Sequence, residues 1–280
     1  LSDVVTWQDV MNVQRINQNR NYVGNTILMN WLRNQMKKSM GIHLIMMDRG
    51  MGKTAFVSSL NQLFDSRKNN EWYVRVYYCN GLKFQNTKDF ITEFNSIFKI
   101  EENPERSEVV SQIRDLKETD GADEVALYLK KRLEQVRNIR EDGEIQLLFI
   151  IDGIDEISKA KGRKNIFDFI PESGQLEEGV HILLTSRNGD SKEEALPEYI
   201  CEQLQSIKSQ TGVSVLNFSI LEEKNKVKYQ RLLLAYIKSS MKTMLEIRKE
   251  KFEEKFEEEF LQELYEKSNW RFSDFKLYVE

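Results

Sequence analysis

The chain has 280 residues, 40% of them hydrophobic, enough to bury a full core in one or two domains. Its formal charge of -4, with 31% charged residues, gives no global basic footprint, so direct nucleic-acid binding is not expected. No apolar run approaches the ~18 residues needed to cross a bilayer and no signal peptide is visible, which points to a cytoplasmic protein without a membrane partner. The first residue is Leu1 rather than Met, as expected for a piece of a longer protein. Within the first forty residues, Ile27, Leu28, Trp31 and Leu32 share one helical face.

Residues 42–47 form an apolar run of strand length. A turn, Asp48-Arg49-Gly50-Met51-Gly52, follows, and Lys53-Thr54-Ala55 then opens a helical pattern carrying Phe56, Leu60 and Leu63. This is the layout of a phosphate-binding loop, although Met47 stands where the strict pattern has its first glycine. Glycines let backbone N–H groups close around phosphates, and the helix N-terminus adds partial positive charge. Residues Asp48 to Ala55 are therefore candidates to bind ATP. Lys53 would reach the β- and γ-phosphates and Thr54 would ligate Mg²⁺.

The aromatic, β-branched run 72–79 reads as the next strand, and 86–98 and 122–136 read as helices covering the sheet. Between those helices, residues 99–121 are charged and lack a firm pattern. Residues 145–151 are almost continuously apolar, as in a strand buried on both faces, and end in Asp152-Gly153-Ile154-Asp155-Glu156. An acidic residue at the carboxyl end of a central strand is placed to hold Mg²⁺, which assigns Asp152 to the metal. Asp155 and Glu156 are candidate catalytic residues that polarise the attacking water. The basic run from Lys159 to Lys164 reads as a solvated loop, and Ile166, Phe167, Phe169 and Ile170 suggest a short helix.

A further buried strand, 180–184, ends in Thr185-Ser186-Arg187, where Arg187 is the charged candidate to sense the γ-phosphate. A strand-end arginine meeting nearby carboxylates is the alternative. Residues 213–216 predict a fifth strand. His43 and His181 lie inside strands and read as core histidines, while Cys79 and Cys201, far from any zinc spacing, read as reduced buried thiols. Strands alternating with helices predict an α/β fold with a parallel sheet and right-handed crossovers. Past Phe218 the period becomes helical, with Leu232, Leu233, Tyr236 and Ile237 on one face and Phe252, Phe256, Phe260, Leu261 and Leu264 on another. The expected division is 1–218 for the nucleotide-binding domain and 219–280 for a small helical lid subdomain.

The succession GMGKT, LLFIIDGIDE and HILLTSR resembles the STAND class of P-loop NTPases, in particular its NACHT branch, and the likeness runs over nearly the whole chain. That resemblance implies a P-loop three-layer sandwich followed by a helical subdomain. It makes Tyr22, Val23 and Gly24 similar to an entry segment that packs near the adenine, with Asn25 where arginine is common. Residues 264–272 resemble the helical-subdomain signature, without its clear glycine and proline. In such proteins ATP and Mg²⁺ bind between sheet and lid, hydrolysis is slow, and the nucleotide governs self-assembly. Flanking effector and sensor domains serve innate immunity, cell death or antiphage defence, and neither is visible here. Two other readings stay open: a ring-forming remodelling ATPase of AAA+ type, and a scaffold that holds nucleotide without hydrolysing it.

Overall fold

The computed structural model describes residues 25–65, 71–79, 87–98, 113–140, 144–157, 164–189 and 195–219, with the isolated positions 225, 227–229, 231, 232, 234 and 263. Its centre is a five-stranded sheet of β1 (Gly41–Met47), β2 (Trp72–Tyr78), β3 (Gln146–Asp152), β4 (Val180–Ser186) and β5 (Ser214–Phe218). The strand order is β2-β3-β4-β1-β5, and every neighbouring pair is parallel. Around it lie helices α1 (Thr26–Gln35), α2 (Lys53–Asp65), α3 (Thr87–Ile97), α4 (Ala122–Arg140) and α5 (Glu198–Ser209), with short 3₁₀ turns at Ile154–Glu156, Ile166–Phe169 and Ser173–Gln175.

In β1 to β4 side chains alternate between two buried faces, which is why those sequences are mostly apolar, whereas the edge strand β5 leaves Val215 and Asn217 exposed. One face presents Leu44, Tyr77, Phe149 and Ile182 to α3, α4 and α5, through Phe94, Leu129 and Leu204 among others. The other presents Ile45, Val76, Ile150 and Leu183 to Leu28 and Leu32 of α1 and to Phe56 and Leu60 of α2. The result is an α/β three-layer sandwich, as its sequence pattern predicts. Asn25 caps α1, its Oδ1 accepting from the amides of Ile27 and Leu28 at 3.1 Å each.

Several local expectations need correction. Helix α5 has no counterpart in the sequence reading; its buried stripe is Ile200, Leu204 and Ile207. Cys201 lies one step round from that stripe and is exposed, whereas Cys79, half-buried as a residue, keeps its thiol buried. The short helix expected around Phe167 is present as one 3₁₀ turn, Ile166–Phe169. Residues 113–117 have no regular secondary structure, and Asn95 of α3 grips the backbone of Leu116 by both its amide oxygen and its amide nitrogen. Tyr22, Val23, Gly24, the basic run 159–163 and the phenylalanine stripe from Phe252 lie outside the described residues. The expected lid, 219–280, is described only at isolated positions, among them Tyr229, which is buried against Phe218.

His43 of β1 and His181 of β4 are both fully buried and face each other, Nε2 of the first 3.0 Å from Nδ1 of the second. Burial lowers the His43 pKa to about 3, with His181 and Lys38 adding repulsion, and that of His181 to about 4, with Lys38 adding again. In the unfolded chain both imidazoles protonate near pH ~6.5. Their contribution to stability is therefore complete above that pH and declines as pH falls from there towards 4 and 3. Each costs up to about 1.4 kcal/mol per pH unit in that window. Urea unfolding at pH 7.5 and pH 5 should show a steep loss in the wild type. The double variant His43→Gln, His181→Gln should show a much shallower one, and equal slopes would refute the assignment.

The order of strands also fixes where a site can form. From β1 the chain crosses to β2 in one direction, and from β4 it crosses over β1 to β5 in the other. Adjacent strands whose connections diverge leave a crevice at their carboxyl ends, here those of β1 and β4.

Candidate functional site

The turn after β1 opens into that crevice. Gly50 and Gly52 have φ of 75° and 85°, in the left-handed region that side-chain-bearing residues resist. Met51 between them is fully buried in the core shared by α1 and α2, and so pins the turn to the sheet. The chain leaves Gly52 directly into α2, whose first residues are Lys53 and Thr54.

Lys53 folds back over the turn, its Nζ donating to the carbonyls of Met47 at 2.8 Å and Asp48 at 3.0 Å. The residue as a whole is half-buried, but its ammonium points inward. Burial pushes its pKa below the ordinary lysine value, and the carboxylates of Asp155, Asp152 and Asp48 oppose that shift in this order. A buried cation whose hydrogen bonds go to neutral carbonyls is a poorly compensated charge, and a polyanion matches it. Thr54 and Ala55 are half-buried beside it, while Arg49 is exposed at the tip of the turn.

At the end of β3, Asp152 is buried and its Oδ1 accepts from the Thr185 hydroxyl at 2.6 Å. The Thr185 oxygen in turn accepts from the Gly153 amide at 2.9 Å, tying the tips of β3 and β4 together. Gly153 has φ 79° and ψ 42°, and this left-handed residue turns the chain into the 3₁₀ turn Ile154–Glu156. The two acids of the turn then part. Asp155 points inward and is buried, whereas Glu156 is exposed with its side chain near Gly153. Both oxygens of Asp155 serve Arg187: Oδ1 accepts its backbone amide at 3.0 Å and Oδ2 its Nε at 2.5 Å.

Thr185, legible in the sequence only as part of a polar strand tip, orients Asp152. Two further contacts behind the loop have no clear signal in the sequence. Asn188 donates to Asp48 Oδ1 at 3.2 Å, and Ser219 donates to Asp48 Oδ2 at 3.4 Å. A polar residue just beyond a buried strand is the only cue they offer. Cys79, at the end of β2, donates its amide to the Asp152 carbonyl at 2.9 Å. Burial pushes its thiol pKa up, and Asp152, Glu156 and Asp155 add to the effect, so it stays a neutral thiol.

The donor set fits a magnesium nucleotide. Mg²⁺ takes one or two protein ligands and fills its shell with phosphate oxygens and water, so Asp152 and Thr54 could hold it without a preassembled cage. No cluster of three or more His, Cys, Asp or Glu side chains able to hold a metal occurs among the described residues. Nor is any helix among them long and apolar enough to cross a membrane. The turn, the buried lysine at a helix start and the acid at the tip of β3 form a P-loop NTPase arrangement.

The profile of the family described as Nephrocystin 3, N-terminal, matches residues 22–187. No curated protein matches the sequence. Among solved structures, Cdc6p from Pyrobaculum aerophilum is similar at 15% identity with a TM-score of 0.34, over 85% of this chain and 52% of its own. PCH-2 of C. elegans is similar at 13% identity with a TM-score of 0.37, over 96% of this chain and 59% of its own. The Aeropyrum pernix ORC2 protein, in ADPNP–ADP complexes, is similar at 14% identity with a TM-score of 0.36, over 85% of this chain and 52% of its own. The chain thus spans little more than half the length of each.

Proposed function

The chain belongs to the family of nephrocystin 3 N-terminal regions, and from that premise we propose that it binds ATP with Mg²⁺ and acts as a slowly hydrolysing switch of the NACHT type. The observation that carries the reading is Lys53, whose buried ammonium at a helix start donates to the carbonyls of Met47 and Asp48 and is attracted by the charges of three aspartates. In this reading the amides of residues 48–55 and Lys53 hold the phosphates, and Thr54 and Asp152 hold the metal. Bound Mg²⁺ neutralises charge on the β- and γ-phosphates. Glu156, exposed beside Gly153, orients the attacking water. Asp155 keeps Arg187 in place, and Tyr22, Val23 and Gly24 lie towards the adenine.

Arg187 is the switching element. Its guanidinium is already engaged by a buried carboxylate, so a γ-phosphate competes with Asp155 for it. Exchange of one anion for the other distinguishes ATP from ADP, and the tip of β4 moves with it. Residues 219–280 form the helical lid in this proposal. The ATP state promotes assembly of identical chains, with effector and sensor domains flanking the unit in a cytoplasmic defence or signalling protein.

Small-angle scattering with ADP and with a non-hydrolysable ATP analogue tests this. Wild type should differ between the two nucleotides, and turnover should be on the order of one per minute or less, against a ~10 s⁻¹ median for enzymes. Arg187→Ala should bind ADP nearly as well as wild type but give one shape with either nucleotide. Fast, partner-stimulated turnover with a nucleotide-independent shape would instead support the remodelling ATPase.

A further inference from the structure

We infer that Asn188 is a positioning residue that couples the phosphate loop to the segment leaving β5, an inference resting on the nucleotide-site reading above. Its side chain is 7% exposed and sits between three strand ends. The amide nitrogen donates both to Asp48 Oδ1, the first residue after β1, and to the carbonyl of Phe218, the last residue of β5, each at 3.2 Å. Ser219 closes the ring by donating its hydroxyl to Asp48 Oδ2 at 3.4 Å. Beyond it, Asn225 donates to the Ser219 carbonyl at 3.2 Å, and Tyr229 is fully buried against Phe218. A chain of hydrogen bonds therefore runs from the loop through Asn188 and Ser219 to Asn225, and the Phe218–Tyr229 ring contact lies beside it.

The neighbour of Asn188 gives the path its second input. Arg187 holds Asp155 through its own backbone amide and its Nε, so any release of Asp155 moves the β4 tip on which Asn188 stands. Asn188 thus joins two places that a triphosphate disturbs, the loop at Asp48 and the tip at Arg187, to one place that leaves the sheet. Its Oδ1 is buried and has no hydrogen-bond partner among the described residues. A buried acceptor left unpaired costs about 1–3 kcal/mol, so this amide is not a residue that stability alone would place here.

The test is hydrogen exchange on peptides covering 219–232, without nucleotide, with ADP and with a non-hydrolysable ATP analogue, with calorimetric titration of the same samples. In wild type the analogue should slow exchange there about tenfold relative to ADP, the kinetic equivalent of ~1.4 kcal/mol. Asn188→Ala should still bind nucleotide, but the two nucleotides should then give rates within about twofold of each other. Ser219→Ala, which removes one hydroxyl from the path, should fold normally and give an intermediate difference. It serves as the deciding variant where Asn188→Ala fails to fold. Full retention of the wild-type difference in either variant overturns the coupling while leaving the nucleotide site standing. Wild type that binds no nucleotide at all overturns the site, and the coupling with it.

Discussion

Lys53→Ala is expected to lose ATP and ADP binding almost entirely. The side chain is the one lysine of the loop, its ammonium lies within the turn, and burial makes its charge costly unless an anion compensates it. Removing one partner of a buried charge pair costs about 3–5 kcal/mol, which weakens binding on the order of 10²–10⁴-fold. Without nucleotide the variant should remain folded, because the bonds it loses end on two loop carbonyls rather than in the core. Isothermal titration with both nucleotides, alongside a thermal melt, separates the two effects. Wild-type affinity in a folded variant would remove the loop from the site altogether.

Glu156→Gln is expected to keep ATP bound and slow its hydrolysis by about 10²–10⁴-fold, the usual range for loss of a general base. Geometry chooses Glu156 over its neighbour. Asp155 is buried with both oxygens engaged by Arg187, leaving it poorly placed to take a proton from water. Glu156 is exposed at the same turn, with its carboxyl carbon 3.7 Å from where a Cβ on Gly153 would lie. Asp155→Asn should instead loosen Arg187 and blunt the difference between ADP and ATP states. Single-turnover hydrolysis assays of both variants decide the matter. Slowed chemistry in Asp155→Asn with normal chemistry in Glu156→Gln would exchange the two roles.

Much of this protein is written locally. The β1, β3 and β4 runs are legible because a strand buried on both faces is apolar at most positions, whatever its neighbours. The turn at 48–52 is legible because only glycine adopts its positive φ without strain, and Lys53 follows at the start of the helix. Asp152 stands out because a carboxylate ending such a strand has few structural reasons to be there. These signals rest on one residue's conformational limits or on a short period.

Other features depend on which segments become neighbours, and no local pattern carries that. The order β2-β3-β4-β1-β5 brings Thr185 to Asp152 and Arg187 to Asp155, residues more than thirty positions apart. Along the sequence Asp155 and Glu156 are equivalent acids, and only the left-handed turn at Gly153 sends one inward and the other out. The pairing of His43 with His181 follows from β1 lying beside β4, and the exposure of Cys201 from the rotation of α5 about its buried stripe. Asn188 reads as an ordinary loop residue until β1 and β5 close around it. Strand adjacency decides these contacts because each needs two groups within about 3 Å, a condition set by sheet register rather than by propensity.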